Sequence, residues 1–140
     1  PVVWGAGGRV LAAAGGRSVV AWDFDGEPPV RQNGRSTLLG GHSAPVVWLG
    51  FAPAAEGAAE VEGGSPSCTL ATASADGRVL VFRLGGEAKG RAVGAAKWAS
   101  PVCVWQGPGG GGGEGLLVRW VEPSRLLVVL ADGSLHGLRC

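Results

Sequence analysis

The sequence predicts an all-β chain built from repeated antiparallel units of four strands, and three observations carry that expectation. "LAAAGGRSVVAW" (11–22), "LATASADGRVLVF" (70–82) and "LLVVLADGSLHGL" (126–138) share one plan: an apolar run, a turn containing glycine, and a second apolar run ending in a large apolar residue. Another apolar run stands before each of them, at 1–4, 45–51 and 116–121. No segment carries a convincing 3.6-residue apolar period, so helices have no claim on these runs.

The chain opens on "PVVW" (1–4), a strand, followed by "GAGGRV" (5–10). That run lacks the full GxGxxG spacing and leads into another strand, so it reads as a turn rather than a dinucleotide loop. The first hairpin follows at 11–22, then the loop "EPPVRQNGRS", then the strand "RSTLLG" (35–40). The second unit starts with "PVVWLGF" (45–51), crosses the Ala/Gly-rich "AAEGAAEVEGG" (54–64), and enters the hairpin at 70–82. In it, Asp76-Gly77 supplies the two residues that best tolerate the positive φ of a tight turn. A second linker at about 85–97 leads to the strand "SPVCVWQ" (100–106). The low-complexity "GPGGGGGEG" (107–115) lacks the lysine and hydroxyl of a phosphate-cradling loop, and no helix pattern follows it. "LLVRWV" (116–121) and the hairpin at 126–138 complete the chain. The order is a, b, c, d, a, b, c, d, a, b, c. Self-similarity at a spacing of roughly 55–60 residues marks a repeat architecture. The units fall at about 1–40, 41–106 and 115–140, with low-complexity loops at 53–67 and 107–114.

Composition narrows the function. The 140 residues are 46% hydrophobic and 16% charged with a net charge of +1, which suits a packed domain and gives no electrostatic footprint for nucleic acid or anionic lipid. No apolar run reaches the roughly 20 residues of a membrane-spanning helix. No secretory leader is recognisable at the start, and Pro1 already stands beside a strand, as in a segment of a longer protein. Cys68, Cys103 and Cys140 are odd in number, irregularly spaced and without a CxxC pair. They read as free thiols in a reducing compartment, cytoplasmic or nuclear, and not as a zinc or redox site.

The stretch "GGHSAPVVWLGFAP…CTLATASADGRVLVF" resembles a WD40 repeat. It has Gly41-His42 before strand a, small residues along strand b, Asp76-Gly77 in the b–c turn and an aromatic residue closing strand c. The first unit supplies the eponymous pair, Trp22-Asp23, but has Gly16-Arg17 in its turn. The third keeps Ala131-Asp132-Gly133, ends in Leu138-Arg139, and has no Gly-His before it. The resemblance implies a WD40-type β-propeller fragment of four-stranded antiparallel blades, about two and three-quarter of them, where closure typically takes about four to eight. It also implies a buried structural relay of His42, Ser74 and Asp76, shortened because Phe82 stands where the family has tryptophan. In an up-and-down meander the d–a and b–c turns share an edge, so His42 and Asp76 can meet there.

Other chemistries find less support. "VVAWDFDGE" (19–27) resembles the first motif of haloacid-dehalogenase-like phosphatases, in which Asp23 would attack phosphorus and Asp25 act as general acid/base. The motif runs into loop where a helix is needed, Glu27 replaces the usual threonine, and the later motifs are missing. No GxSxG nucleophile elbow and no paired-arginine phosphoinositide signature occurs. His136, in mid-strand and without an evident partner, reads as structural. Trp4, Trp22, Trp48, Trp105 and Trp120 lie within apolar strands and read as core. The expected function is therefore a non-catalytic scaffold for protein–protein interaction, with no cofactor, metal or small-molecule substrate. Its partners would be other proteins and missing blades of its own chain. A regulatory propeller fused to an enzyme is the remaining alternative. Val2–Trp4 and Leu135–Leu138 would be bare apolar edges, which predicts self-association of the isolated segment.

Overall fold

Three antiparallel meanders of four, four and three strands make up the chain, in a computed structural model that describes residues 1–24, 35–54, 68–84, 97–108 and 116–140. The first sheet runs β1 (Val2–Gly5), β2 (Val10–Gly15), β3 (Ser18–Asp23) and β4 (Arg35–Leu39). The second comprises β5 (Val46–Phe51), β6 (Cys68–Ser74), β7 (Arg78–Leu84) and β9 (Cys103–Gln106). The third comprises β10 (Leu117–Glu122), β11 (Arg125–Val129) and β12 (Leu135–Arg139). The all-β expectation holds. Each hairpin turns on a glycine at positive φ, Gly16 (58°), Gly77 (76°) and Gly133 (82°), which is why glycine recurs at that point of the repeat.

Side-chain alternation explains how the sheets stack. On the second sheet, Leu70, Leu80, Phe82 and Leu84 join Val10, Ala12, Val19 and Ala21 of the first sheet in one apolar cluster. The alternate residues, Ala71, Ala73, Val79 and Val81, join Val118, Leu126 and Val128 of the third sheet in another. The second sheet is therefore sandwiched, and its β6 and β7 are buried almost continuously. The outer sheets bury one face, so β2, β11 and β12 alternate.

The leading strands converge, with β1 and β10 both approaching β5. A Cβ on Gly5 would overlap the Phe51 ring, so this approach requires glycine. Val46 N donates to Gly16 O at 2.8 Å, and Trp120 Nε1 donates to Gly50 O at 2.8 Å, tying each sheet to its neighbour. The face of the first sheet turned away from the second is also apolar, and that of the third is part apolar and part basic. On the first sheet, Val2, Ala13, Val20 and Leu38 form one cross-strand row, and Trp4, Leu11, Trp22 and Ser36 the next. On the third, the rows are Leu117–Val129–Leu135, Arg119–Leu127–Gly137 and Arg125–Arg139. Among the described residues no further sheet is stacked on either face.

Two expectations need correction. The linker at 85–97 ends in a further strand, β8 (Lys97–Ala99), which pairs parallel with β4 and gives the first sheet a fifth strand. The chain leaves β7, caps the neighbouring sheet's open edge, and returns as β9. Tryptophan is core only in part: Trp48, Trp105 and Trp120 pack half-buried against the cluster between the second and third sheets, while Trp22 is half-buried on the uncovered face of the first sheet and Trp4 is 55% exposed. The fully buried apolar positions go to Leu, Val, Ala and Phe82. Residues 55–67, 85–96 and 109–115, the greater part of the expected loops, lie outside the described residues.

Phe82 is fully buried, and Phe82→Ala should cost about 3–5 kcal/mol in urea unfolding. Val104→Ala, at a side chain on β9 that is 53% exposed, should stay within about 0.5 kcal/mol. Equal losses would contradict the sandwiched placement of β7.

Candidate functional site

The most elaborate polar arrangement lies where the segment entering β5 meets the β6–β7 turn. Gly41 has φ of 118°, a conformation that turns the chain so that His42 points inward. Thr72 and Ser74, two apart on β6, share the face turned toward His42. All three side chains are buried. His42 Nε2 lies 2.7 Å from Thr72 Oγ1, and His42 Nδ1 lies 2.8 Å from Ser74 Oγ. Ser74 Oγ donates to Asp76 Oδ1 at 2.5 Å, and Ser43 Oγ donates to Asp76 Oδ2 at 2.5 Å.

The turn is held from several sides. Arg78 N donates to Asp76 Oδ1 at 3.2 Å, and Gln106 Nε2 on β9 donates to Asp76 O at 2.9 Å. Arg78 Nη1 donates to Gly41 O at 2.8 Å, closing the loop back onto the residue before the histidine. Ala75 N donates to Pro45 O at 2.9 Å. His42 and Asp76 do meet at this edge, but through Ser74 and not directly.

Hydrogen-bond accounting sets the direction of the chain. Asp76 as a carboxylate only accepts, so Ser74 gives it the hydroxyl proton and accepts from His42 Nδ1–H. In the neutral ring Nε2 is then an acceptor and takes the Thr72 hydroxyl. Thr72 Oγ1 also has Leu80 O at 3.3 Å as a second outlet. If the ring is protonated, Thr72 can accept from Nε2–H and turn its own proton to that carbonyl. Burial lowers the His42 pKa from 6.5; the Asp76 carboxylate opposes this and Arg78 reinforces it. For Asp76 burial acts upward, but the hydrogen bonds from Ser43, Ser74 and Arg78 N, with His42, together bring its carboxyl below 3.8. Every polar atom of the histidine ring is occupied, so the arrangement suits locking and offers no group to an outside substrate.

The remaining sequence-derived residues are placed as follows. Phe82 pairs with Leu70 and lies in the apolar cluster, contributing no polar group to the relay. Trp22 pairs with Leu11 and Ser36, while Asp23 at the end of β3 pairs with Val10 and Arg35. Burial, and secondarily Asp23, push the Cys68 thiol up to about 11. Asp25, the second aspartate of the phosphatase-like motif, lies outside the described residues. His136 is not partnerless: its Nε2 lies 3.2 Å from Ser134 Oγ, and its ring is 5.3 Å from that of Trp105 on the second sheet. Asp132 accepts from Ser134 N at 2.8 Å, and the Ser134 hydroxyl stands between Asp132 and His136, an exposed contact where the His42 relay is buried.

Sequence reading missed Thr72, although its place two residues before Ser74 puts both hydroxyls on one strand face. The three cysteines are free thiols. Burial and the neighbouring Cys103 raise the Cys140 thiol to about 11, so a thiol of the second sheet and one at the end of the third are neighbours. Among the described residues no group of three or more His, Cys, Asp and Glu could hold a metal ion. An open apolar groove of about 510 Å³ runs between Trp48, Gly50 and Phe51 of β5 and Leu117, Arg119 and Trp120 of β10. No protein-family model matches the sequence, and no curated protein matches it.

Ser74→Ala should cost roughly 1–3 kcal/mol, since it leaves His42 Nδ1 and Asp76 without their shared partner. Asp132→Ala should cost clearly less in the same unfolding experiment, and equal costs would contradict the buried relay. The lowered His42 pKa means that the unfolded chain binds its proton more tightly than the folded one. The stability this contributes is complete above pH 6.5 and shrinks as pH falls below it; the Asp76 contribution is lost only further down, below 3.8. Thermal melting should therefore show a lower Tm at about pH 5 than at about pH 7.5, with a smaller drop in His42→Gln.

Proposed function

We propose that the chain is a segment of a WD40-type β-propeller acting as a non-catalytic platform for protein–protein contact. The observation that carries this reading is the stack itself, in which a sheet covered on both faces stands between two sheets with one face each left uncovered among the described residues. Large side chains lie there in the open, Val2 at 68% and Trp4 at 55% on one end, Leu117 at 63% and Leu135 at 62% on the other. Apolar exposure of this kind marks an interaction surface. The Gly41-His42, Ser74 and Asp76 arrangement supports the family assignment, since the WD40 pattern places these residue types at these turns. Its hydrogen bonds are directed inward, consistent with a role in holding one blade.

The antiparallel setting of β3 between β2 and β4 weighs against phosphatase chemistry at Asp23, which needs a strand ending at the mouth of a parallel sheet. Incubation with p-nitrophenyl phosphate and Mg²⁺ tests the proposal. The chain and its Asp23→Asn variant should release p-nitrophenol at the same background rate. Turnover that disappears in Asp23→Asn would overturn the platform reading in favour of an enzyme.

A further inference from the structure

We infer that Cys103 and Cys140 form a modification site, a thiol pair that closes to a disulfide by exchange with a small-molecule disulfide of the glutathione class and so staples the third sheet to the second. The site depends only on how these two sheets stack, and not on the propeller reading.

Register brings the two residues onto facing sides. Cys103 pairs with Val81, and Val81 pairs with Ala71. Residues directly opposite one another in a ladder share a face. Cys103 therefore points with Val81 and Ala71 toward the third sheet, and it packs against the apolar cluster there. On β12, Leu138 pairs with Leu126 and packs against the same cluster from the other side. Cys140 stands two residues beyond Leu138, and its N–H donates to Ser124 O at 3.0 Å. The ladder, and with it the alternation, carries on to Cys140 and turns its thiol back toward the second sheet.

A second contact joins the same two strands. The ring of Trp105, two residues after Cys103, lies 5.3 Å from that of His136, which pairs with Val128 of the shared cluster. β9 and β12 thus meet at two points along one seam, one aromatic and one of sulfur. Burial first, and then Cys103 itself, hold the Cys140 thiol at about 11, an influence that only direct neighbours exert. Cys68 packs against the cluster on the opposite side of the second sheet, facing the first, and takes no part.

The exchange balances in two steps. Cys140 is exposed and Cys103 half-buried, so oxidised glutathione meets Cys140 first. The Cys140 thiolate attacks one glutathione sulfur, the glutathione disulfide breaks, and one glutathione thiolate leaves. The Cys103 thiolate then attacks the Cys140 sulfur of the mixed disulfide, and the second glutathione thiolate leaves. The two protons given up by the cysteines go to the two glutathione thiolates; the protein is oxidised by two electrons and the glutathione disulfide is reduced by two. The small thiolate fraction of Cys140 at neutral pH makes the first step slow, whereas the second is intramolecular. Closure brings the sulfurs to about 2.05 Å, and Cys140, exposed and one residue past the end of β12, turns about χ1 to reach that distance.

Equilibration of the 140-residue chain in glutathione buffers of graded ratio, with intact mass read after an acid quench, tests the site. Wild type and Cys68→Ser should both lose two hydrogens and carry no glutathione. Adding Cys103→Ser to Cys68→Ser should instead leave a single glutathione adduct, on Cys140. If Cys103→Ser disturbs folding, Cys103→Ala tests the same thiol. Half-oxidation of the folded chain should come at a glutathione ratio at least about tenfold more reducing than in urea, because the fold holds the two thiols together. A wild type that stays reduced or stops at glutathione adducts, closure that disappears in Cys68→Ser, or equal half-oxidation in the folded chain and in urea would each overturn the inference.

Discussion

Burial of the second sheet on both faces is the constraint on which the rest of the structure depends. A single antiparallel sheet of four short strands has one apolar side to hide, and hiding it takes one neighbour. Here β6 and β7 carry apolar or small residues at nearly every position, so that one neighbour does not suffice. The first and third sheets are recruited to opposite sides, and the alternation of side chains divides the core into two separate clusters. The polarity of stacking follows at once, as does the exposure of one face at each end.

The polar relay is placed by the same constraint. His42 enters from the segment before β5 and lies over β6 on the side facing the first sheet, where water is excluded. Burial there favours the neutral imidazole, and both its nitrogens need partners, which Thr72 and Ser74 supply from a single strand face. Asp76 stands nearer the solvent and is drawn into the chain by Ser74, with Ser43 and the Arg78 amide holding it ionised. The middle hairpin, which has the most surface to bury, is thereby also the one whose turn is fixed most firmly. The third hairpin keeps its Asp132-Gly133 turn without a buried histidine and covers only one side of its sheet.

How much of this could be read in the sequence depended on whether the signal was local. Turn glycines and the apolar runs around them are local, so all three hairpins and the strands preceding them were legible. The meeting of His42, Ser74 and Asp76 was legible because meander topology places two turns on one edge. The bridging role of Ser74 was not, since a shift of one residue in depth decides whether a histidine reaches a carboxylate or a hydroxyl. Thr72 was overlooked though period-2 alternation points to it. Trp4 and Trp22 were misread as core because an apolar strand position does not say which face is covered. β8 is three residues long beside a low-complexity stretch, and nothing local marks a strand that joins a sheet belonging to an earlier unit. The nearness of Cys103 and Cys140 is a product of stacking, which no spacing rule anticipates.

Native-state hydrogen exchange measures the central claim most directly, because protection tracks the opening free energy of each segment. Backbone amides of β6 and β7 should be the slowest in the chain, exchanging only with global unfolding, while those of β1 and β12 at the sheet edges exchange earlier. Exchange from β6 and β7 as fast as from β1 and β12 would contradict the account, since a sheet covered on both faces cannot open before the sheets that cover it.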